Sequence, residues 1–579
     1  MLAAFLAAVA VLLAVSGGVR ASVGGLRISA RSPLGASVAA IVAAAAWLAL
    51  AGRAKAVHSD LESAWSTPER HSASAIALVA ALSGAVAASF ATNSAAGADA
   101  SGYLSEAAQW ASGQFFHRDA LAGALGASEP WLTAPLGWRP APMAGLQSPT
   151  YPPGLPLMMA VPHALGGTAA AGFVVTVSAV LAVWATGLLA RRIGGGAAGV
   201  IAAIAIAVSP IFLFQSMQPM SDVPVTAAWM VTWLLVLQQG SGIGDQGSGI
   251  RDRGIARITF AGASCALAVL IRPNLAPLAA VPLLAIGFSV RRLAAFSLPV
   301  ALAGLALMWL QWQWYGSPFR SGYGTADELF AVANVGANAA RYWSWVVATS
   351  PVLLVAPVGM ALMWRHAGTR ILALFAALVV AAYLGYAVFD VWSYLRFLLP
   401  ALAIAAVFTG AAVAAAVGLL PMPLRVFGAF AVALTLIAHG VSEARGLETF
   451  RLADQQRRVS QVSAFLSTTL PANGVIIAGE QSGSLRYYTG RSILRWDAAS
   501  PGALAAAITT LTASGRVIVI ALDAWENEPF RAKLGALPAV SLEWPAAFEA
   551  GTSHRTRVWR LTDRETFLRG DHVATLRQP

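Results

Sequence analysis

Cysteine and lysine are nearly absent from this 579-residue chain, and charge of either sign is thin. Cys265 is the only cysteine, so no disulfide forms within the chain and no cysteine-based metal site is available. Lysine occurs at Lys55 and Lys533 alone, so almost every cation is arginine, which reads as genomic bias. Charged residues make up 11% of the chain, against about 25% in ordinary soluble domains. No acid lies in the middle of a long apolar run, which counts against an ion- or proton-coupled pump. The eight histidines are scattered without a zinc spacing. What fills the chain is hydrophobic, at 58%, with 19 tryptophans suited to anchoring at a membrane interface. The net charge of +12 is no nucleic-acid signal, because the cations gather at the ends of apolar runs, as retention of positive loops in the cytoplasm requires.

The pattern predicts a polytopic all-α membrane protein with about thirteen transmembrane helices and a C-terminal soluble α/β domain. The spans fall near 1–16, 36–52, 73–91, 168–190, 196–214, 223–238, 258–271, 275–290, 294–314, 343–364, 371–389, 397–418 and 424–440. Residues 1–16 lack a basic leader and run on into further apolar sequence, so they read as a helix and not a signal peptide. Arg53, Lys55 and Arg70, then Arg191-Arg192, then Arg251, Arg253 and Arg257, then Arg291-Arg292, Arg365, Arg370 and Arg425 fall on one face if the N-terminus is cytoplasmic. Arg20, Arg27 and Arg31 in the loop 17–35 break the series. The Gly- and Ser-rich stretch 239–257 has no phosphate-loop spacing and reads as a flexible cytoplasmic linker.

Three regions follow: 1–72 with two extra N-terminal helices, 73–440 as the main membrane unit with a long outer loop at 92–152, and 441–579 as a soluble tail outside. The tail reads as helices at 447–468, 501–513 and near 525–535, with strands at 475–480, 517–522, near 540–544 and near 556–561.

Polar residues gather at the outer ends of spans, which suits chemistry at the membrane surface. Asp99 opens the outer loop in Gly97-Ala98-Asp99-Ala100-Ser101-Gly102-Tyr103-Leu104-Ser105-Glu106, either as a helix cap or as a general base. The loop closes on Tyr151-Pro152-Pro153-Gly154-Leu155-Pro156, whose prolines stiffen the approach to the membrane. Asp222 in Gln218-Pro219-Met220-Ser221-Asp222 is either a cap or an acceptor- or metal-binding group. Arg272 in Leu270-Ile271-Arg272-Pro273 and Arg396 in Arg396-Phe397-Leu398-Leu399-Pro400 either snorkel to the interface or clamp a phosphate through a bidentate fork. Tyr323 lies in Gly322-Tyr323-Gly324, after Tyr315-Gly316-Ser317-Pro318-Phe319. In the tail, Glu480 ends a strand, where α/β sheets often bind ligands, or is part of a structural loop.

This ordered set, with Ala190-Arg191-Arg192-Ile193-Gly194, resembles the GT-C-fold glycosyltransferases that use polyprenyl-phosphate sugars. The closest group is the protein-mannosyltransferase-like branch that includes the aminoarabinose transferases of lipid A. The resemblance covers roughly residues 73–420. It departs where Ala100 and Ser101 follow the first aspartate in place of Glu and Arg, and where Tyr151 stands in place of a lysine before the Pro-Pro pair. The resemblance implies a glycosyltransferase in the bacterial inner membrane, inverting at the anomeric carbon. Its donor is a polyprenyl-phosphate sugar and its acceptor a hydroxyl of an envelope glycan, lipid or protein. Asp99 is then the catalytic base, and Arg272 and Arg396 bind the donor phosphate. Asp222 is an acceptor- or metal-binding candidate, and Tyr103, Glu106, Tyr151, Tyr323 and Glu480 are substrate-binding candidates. No nucleic acid and no certain cofactor are implied; a divalent metal stays open. The reading from a different class is a transporter or flippase of envelope glycolipids, or a non-catalytic scaffold.

The arginine series and the odd number of spans give a topological expectation. Alkaline phosphatase fused after Pro579 is active, and the same enzyme fused after Asp245 is inactive. The opposite pattern reverses the orientation.

Overall fold

The structure, a computed structural model, describes residues 19–23, 26–30, 39, 55–125, 129–238, 248–552 and 554–578. The spans expected at 1–16 and 36–52 lie outside the described residues, apart from position 39, and so does 239–247 of the expected linker. Within the loop 17–35, strands β1 (Val19–Val23) and β2 (Leu26–Ala30) pair antiparallel.

Among the described residues, seven helices are long and apolar enough to cross a membrane, or eight if the bent pair Asn334–Thr349 and Pro351–Leu362 is one span. Two of the thirteen expected spans lie outside the described residues and two others share the single helix Gly154–Ala207, and the remaining differences have local causes. The segment expected at 275–290 is a 3-10 stretch, Pro273–Ala280, followed by the single turn Leu283–Ile286. Pro273, Pro277 and Pro282 each remove a backbone donor that an α-helix of span length needs. The segment expected at 343–364 bends by 110° where Pro351 follows Ser350. The expected span 223–238 is Asp222–Val236, a helix of 15 residues, short of a full crossing. The expected linker is partly helical, since Ser248–Ile271 is one helix.

Lys55–Ser89 forms α1, Gly97–Ala111 forms α2, and Gly154–Ala207 forms α3. The 54 residues of α3 would make a straight rod of about 81 Å at 1.5 Å per residue. They do not, because Gly195 leaves helical geometry at φ 88°, ψ 179°, a conformation that glycine alone enters freely. A β-carbon on Gly187 would stand 3.1 Å from the Ala203 β-carbon, whereas sixteen residues of straight helix separate such positions by about 24 Å. The chain therefore folds back at Gly195, and 168–194 and 196–207 lie side by side. This hairpin is the centre of the bundle. Helix α1 packs on it, and so does the late helix Leu399–Gly418.

Lipid does not drive helices together by hydrophobicity, so small residues that allow close approach take that role. At Gly410 a β-carbon would fall 2.3 Å from the Ala198 carbonyl oxygen. The helix Val290–Tyr315 has 26 residues, about 39 Å. Arg291 and Arg292 sit at one end, Trp314 and Tyr315 at the other. The polar ends that matter below all share the second side.

That side carries α2, a small sheet and the tail. Strands β3 (His117–Arg118), β4 (Trp138–Pro140) and β5 (Leu146–Pro149) pair antiparallel in the order β3-β5-β4. The tail holds a six-stranded sheet ordered β11-β9-β10-β8-β6-β7. Strands β7 (Ser492–Arg495) at one edge, β6 (Val475–Ala478) and β8 (Ile518–Asp523) run parallel, β10 (Thr556–Arg560) pairs antiparallel with β8, and β9 (Phe548–Ala550) and β11 (Leu576–Gln578) complete it. Helices Leu452–Thr469 and Pro501–Ala513 stand where the sequence predicts them. The strand expected near 540–544 does not form. Val540, Leu542 and Trp544 alternate because a loop, with Leu542 at φ 56°, inserts them into the core; the ladder strand begins at Phe548. The outer loop is fastened to the tail. Leu121 and Leu132 join the tail's apolar core, and the Arg495 N–H donates to the Leu132 carbonyl at 2.7 Å.

Replacing Gly410 with valine forces the α3 hairpin away from its neighbour. Overpacking of this kind costs about 1–3 kcal/mol, so the Gly410→Val protein should unfold at a lower temperature in detergent. An unchanged transition would show that the crossing tolerates bulk.

Candidate functional site

Several chain segments, five of them carrying the residues named next, meet at one cavity of about 370 Å³ on the loop-and-tail side of the bundle. That is the size range of small-molecule sites. Asp99 comes from α2, Tyr151 from the stiff run before α3, and Asp222 from α4 (Asp222–Val236). Arg272 follows the helix that ends at Ile271, and Arg396 lies in the 3-10 turn Trp392–Leu398.

Two carboxylate–guanidinium pairs organise it. Arg396 Nη2 donates to Asp99 Oδ2 at 2.9 Å, and the Tyr151 hydroxyl donates to Asp99 Oδ1 at 2.8 Å. Arg272 pairs with Asp222 and also donates to the Tyr383 hydroxyl at 3.0 Å, where Asn274 donates as well. The Asp222 side chain is wholly buried, and its Oδ2 has no partner. The Asp99 side chain keeps 31% of its surface exposed.

The pairs meet at one ring. The Arg272 guanidinium carbon lies 5.2 Å from the centroid of Phe397, and that of Arg396 lies 5.4 Å from the same centroid. Arg396 is also 4.8 Å from the Tyr394 ring. Such contacts favour a desolvated guanidinium. Tyr383 stacks on Phe397 at 5.1 Å with an interplanar angle of 6°, and Tyr386 meets Phe397 edge-on.

The alternatives left open by the sequence can now be separated. The cap residue of α2 is Ala96 and that of α4 is Ser221, neither with a side-chain cap bond, so neither aspartate is spent as an N-cap. Arg272 and Arg396 do not reach for solvent; each is folded onto a carboxylate and a ring. Asp99, Tyr103, Tyr151, Asp222, Arg272, Tyr323 and Arg396 all line the cavity. Tyr103 donates to the Ser221 hydroxyl at 2.9 Å and leans on Tyr151 at 4.7 Å; Tyr323 meets Tyr151 edge-on at 5.8 Å. Burial, and then the neighbouring Asp99 charge, raise both Tyr103 and Tyr151 above the usual phenol range, so Tyr151 holds its proton and serves Asp99 as a donor.

Glu106 and Glu480 do not line it. Glu106 shares the helical face of Asp99 and Tyr103 but stands two turns on, about 10 Å along the axis. There it accepts from Trp110 at 3.1 Å and is raised well above the carboxylate range by burial. The Glu480 carboxylate lies by Gly97, 3.9 Å from where a β-carbon would be, and is raised by burial, then by Asp523 and Asp99. The residues that the sequence reading passed over are the aromatic wall: Trp314, Tyr383, Tyr386, Phe389, Tyr394 and Phe397. Phe397 stands beside Arg396 in a quoted motif, and that was the available signal. Among the described residues, no three His, Cys, Asp or Glu side chains gather to hold an ion.

No family model matches the chain, and no curated protein matches it in sequence. Solved structures do match in shape. The structure of ArnT from Cupriavidus metallidurans bound to undecaprenyl phosphate superposes with a TM-score of 0.53 at 12% identity, covering 83% of this chain and 97% of that one. ArnT from the same organism in the apo state gives 0.51 at 14% identity, over 84% and 97%. The chain has the GT-C fold.

Breaking the buried pair from one side leaves a desolvated guanidinium, at a cost of about 3–5 kcal/mol. Asp222→Asn should therefore lower the unfolding temperature sharply, and the double change Asp222→Leu with Arg272→Met should restore most of it. Equal stability of the single variant and the parent would show that the pair bears no structural load.

Proposed function

We propose that the chain is a membrane glycosyltransferase that moves a sugar from a polyprenyl-phosphate donor to a hydroxyl of a cell-envelope acceptor, with inversion. The observation that carries this reading is the pair of guanidinium groups gathered on Phe397 beside two carboxylates, at the rim of one aromatic-walled cavity. The GT-C fold shared with an ArnT bound to undecaprenyl phosphate supports a lipid-phosphate donor. In this reading, residues 73–440 form the membrane catalytic unit in a bacterial inner membrane, and the tail 441–579 lies outside the cytoplasm.

The chemistry follows from the geometry. The donor phosphate sits between Arg272 and Arg396, where planar forks match its oxygens. Arg396 then bridges the phosphate and Asp99. The acceptor oxygen attacks the anomeric carbon, the bond from that carbon to the phosphate oxygen breaks, and polyprenyl phosphate leaves with the electron pair. The acceptor proton passes to Asp99, which Tyr151 and Arg396 hold in place. Charge growing on the leaving phosphate is met by cations already in position, which is how preorganised sites lower such barriers. The aromatic wall gives flat apolar faces with hydroxyl tips, suited to a sugar on one side and an isoprenoid on the other.

Asp99→Asn keeps the shape and the acceptor oxygen but not the basicity. General base catalysis contributes typically about 10²–10⁴-fold, so turnover of a labelled polyprenyl-phosphate sugar in nanodiscs should fall by roughly a hundredfold or more. A well-folded variant with near-normal turnover would remove Asp99 from the base role.

A further inference from the structure

A second cavity, about 280 Å³, lies between α2, the small outer sheet and the tail helix Ser482–Thr489, and it shares no lining residue with the first. Helix α2 presents Ser105 and Gln109 to it, and Ser112 follows at the end of that helix. The outer sheet brings His117, Arg118 and Gln147, and the tail brings Arg486 and Arg491.

Arg486 is the unusual group. Its Nη1 donates to Gln147 Oε1 at 2.7 Å, and its guanidinium lies over the Trp138 ring at 4.9 Å. Its Nη2 is buried with no partner. Among the described residues, no carboxylate comes within ion-pair distance of it. Asp119, the acid in the same wall, favours the Arg486 charge only from beyond that distance and is itself engaged by the Leu121 N–H and the Thr133 hydroxyl. Arg491 spends its fork on the carbonyls of Leu470 and Thr489. Gln109, 7% exposed, leaves its Oε1 buried and unpartnered. Burial pulls Arg486 down to about 9, and burial with the Arg486 charge pulls His117 down to about 3, so His117 is neutral here and Arg486 remains the buried cation.

A buried charge with no counter-charge is destabilising unless something supplies one. We propose that this cavity binds an oxyanion, the phosphate or carboxylate of an acidic glycan, with Arg486 as its principal partner and Arg118 at its mouth. The cavity exceeds what one oxyanion fills, and the hydroxyls and amides around it suit the hydroxyls of an attached sugar. Gln109 is ten residues from Asp99 on the same helix, about 15 Å along it. An acidic group held here would fix an acceptor glycan relative to Asp99. That link rests on the proposed transfer reaction; the anion binding does not.

The test uses the intact protein in detergent at constant ionic strength, with thermal unfolding followed as inorganic phosphate or, separately, glucuronate is added. Ligand bound to the folded state raises the transition by mass action. The expected result is a saturable rise of several degrees with at least one of the two. Phosphate alone marks a phosphorylated glycan, glucuronate alone a carboxylated one, and both a general oxyanion site. Gln147→Glu keeps the shape and sets a carboxylate against Arg486, and Arg486→Gln removes the cation; each should abolish the rise. Arg118→Gln, at an exposed position, should weaken the response several-fold with the starting transition unchanged, and it decides the matter if either buried variant fails to fold. No saturable rise in the parent, or a rise that survives in the variants that fold, overturns the proposal.

Discussion

Two guanidinium groups cannot be held near one another, at the edge of a low-dielectric bundle, without anions to balance them. Everything around the first cavity follows from that constraint. Arg272 takes Asp222, Arg396 takes Asp99, and both lie against Phe397. The carboxylates arrive on helices far apart in sequence, so the pairs can form only if the bundle sets those helix ends at one level. The fold-back at Gly195 and the close approach at Gly410 are what set it. The second cavity obeys the same rule from the other direction: the Arg486 Nη2 is buried without a partner, and among the described residues no carboxylate pairs with it, Asp119 acting only from farther off.

Much of the architecture was legible from composition and spacing, because membrane helices advertise themselves by length and apolarity. The places where the reading failed share a cause. Pro273, Pro277 and Pro282 lie within an apolar run, and hydropathy does not register that prolines have removed its backbone donors. Pro351 bends a run that looks continuous. In the tail, Val540, Leu542 and Trp544 alternate like a strand, yet the alternation records burial of loop side chains and not hydrogen bonding. The short strand Ser492–Arg495 and the helix Ser482–Thr489 were hidden for the converse reason. Their sequences are too brief and too polar to show a period, and only packing against β6 and α2 defines them.

The site was legible wherever a charged residue stood at a span end. Asp99, Asp222, Arg272 and Arg396 announced themselves in that way, Tyr103, Tyr151 and Tyr323 by the motifs around them, and the fold gathered all seven. Glu106 shows the limit of face arguments: it lies on the correct stripe of α2 but past the end of the cavity. The aromatic wall was not legible, since a tyrosine near the end of a membrane helix, such as Tyr383, is indistinguishable in sequence from an interfacial anchor. Its role appears only once its hydroxyl is seen to receive hydrogen bonds from both Arg272 and Asn274.

The two aspartates look equivalent in sequence, each in the first turn of its helix and each paired in the fold with an arginine. Their surroundings divide the labour. Asp222 is wholly buried, its second oxygen has no partner, and its arginine is tied to Tyr383. A base must meet the hydroxyl it deprotonates and must release its proton afterwards, and although Asp222 stands in the cavity wall its carboxylate exposes no surface for that. Asp99 is part-exposed, and both its oxygens are engaged by groups that face the same cavity, Tyr151 and Arg396. Those contacts fix its direction without closing it off. Under the proposed transfer, Asp222 is the carboxylate that holds Arg272 in place, and the more accessible Asp99 is the one placed to exchange a proton with an incoming acceptor.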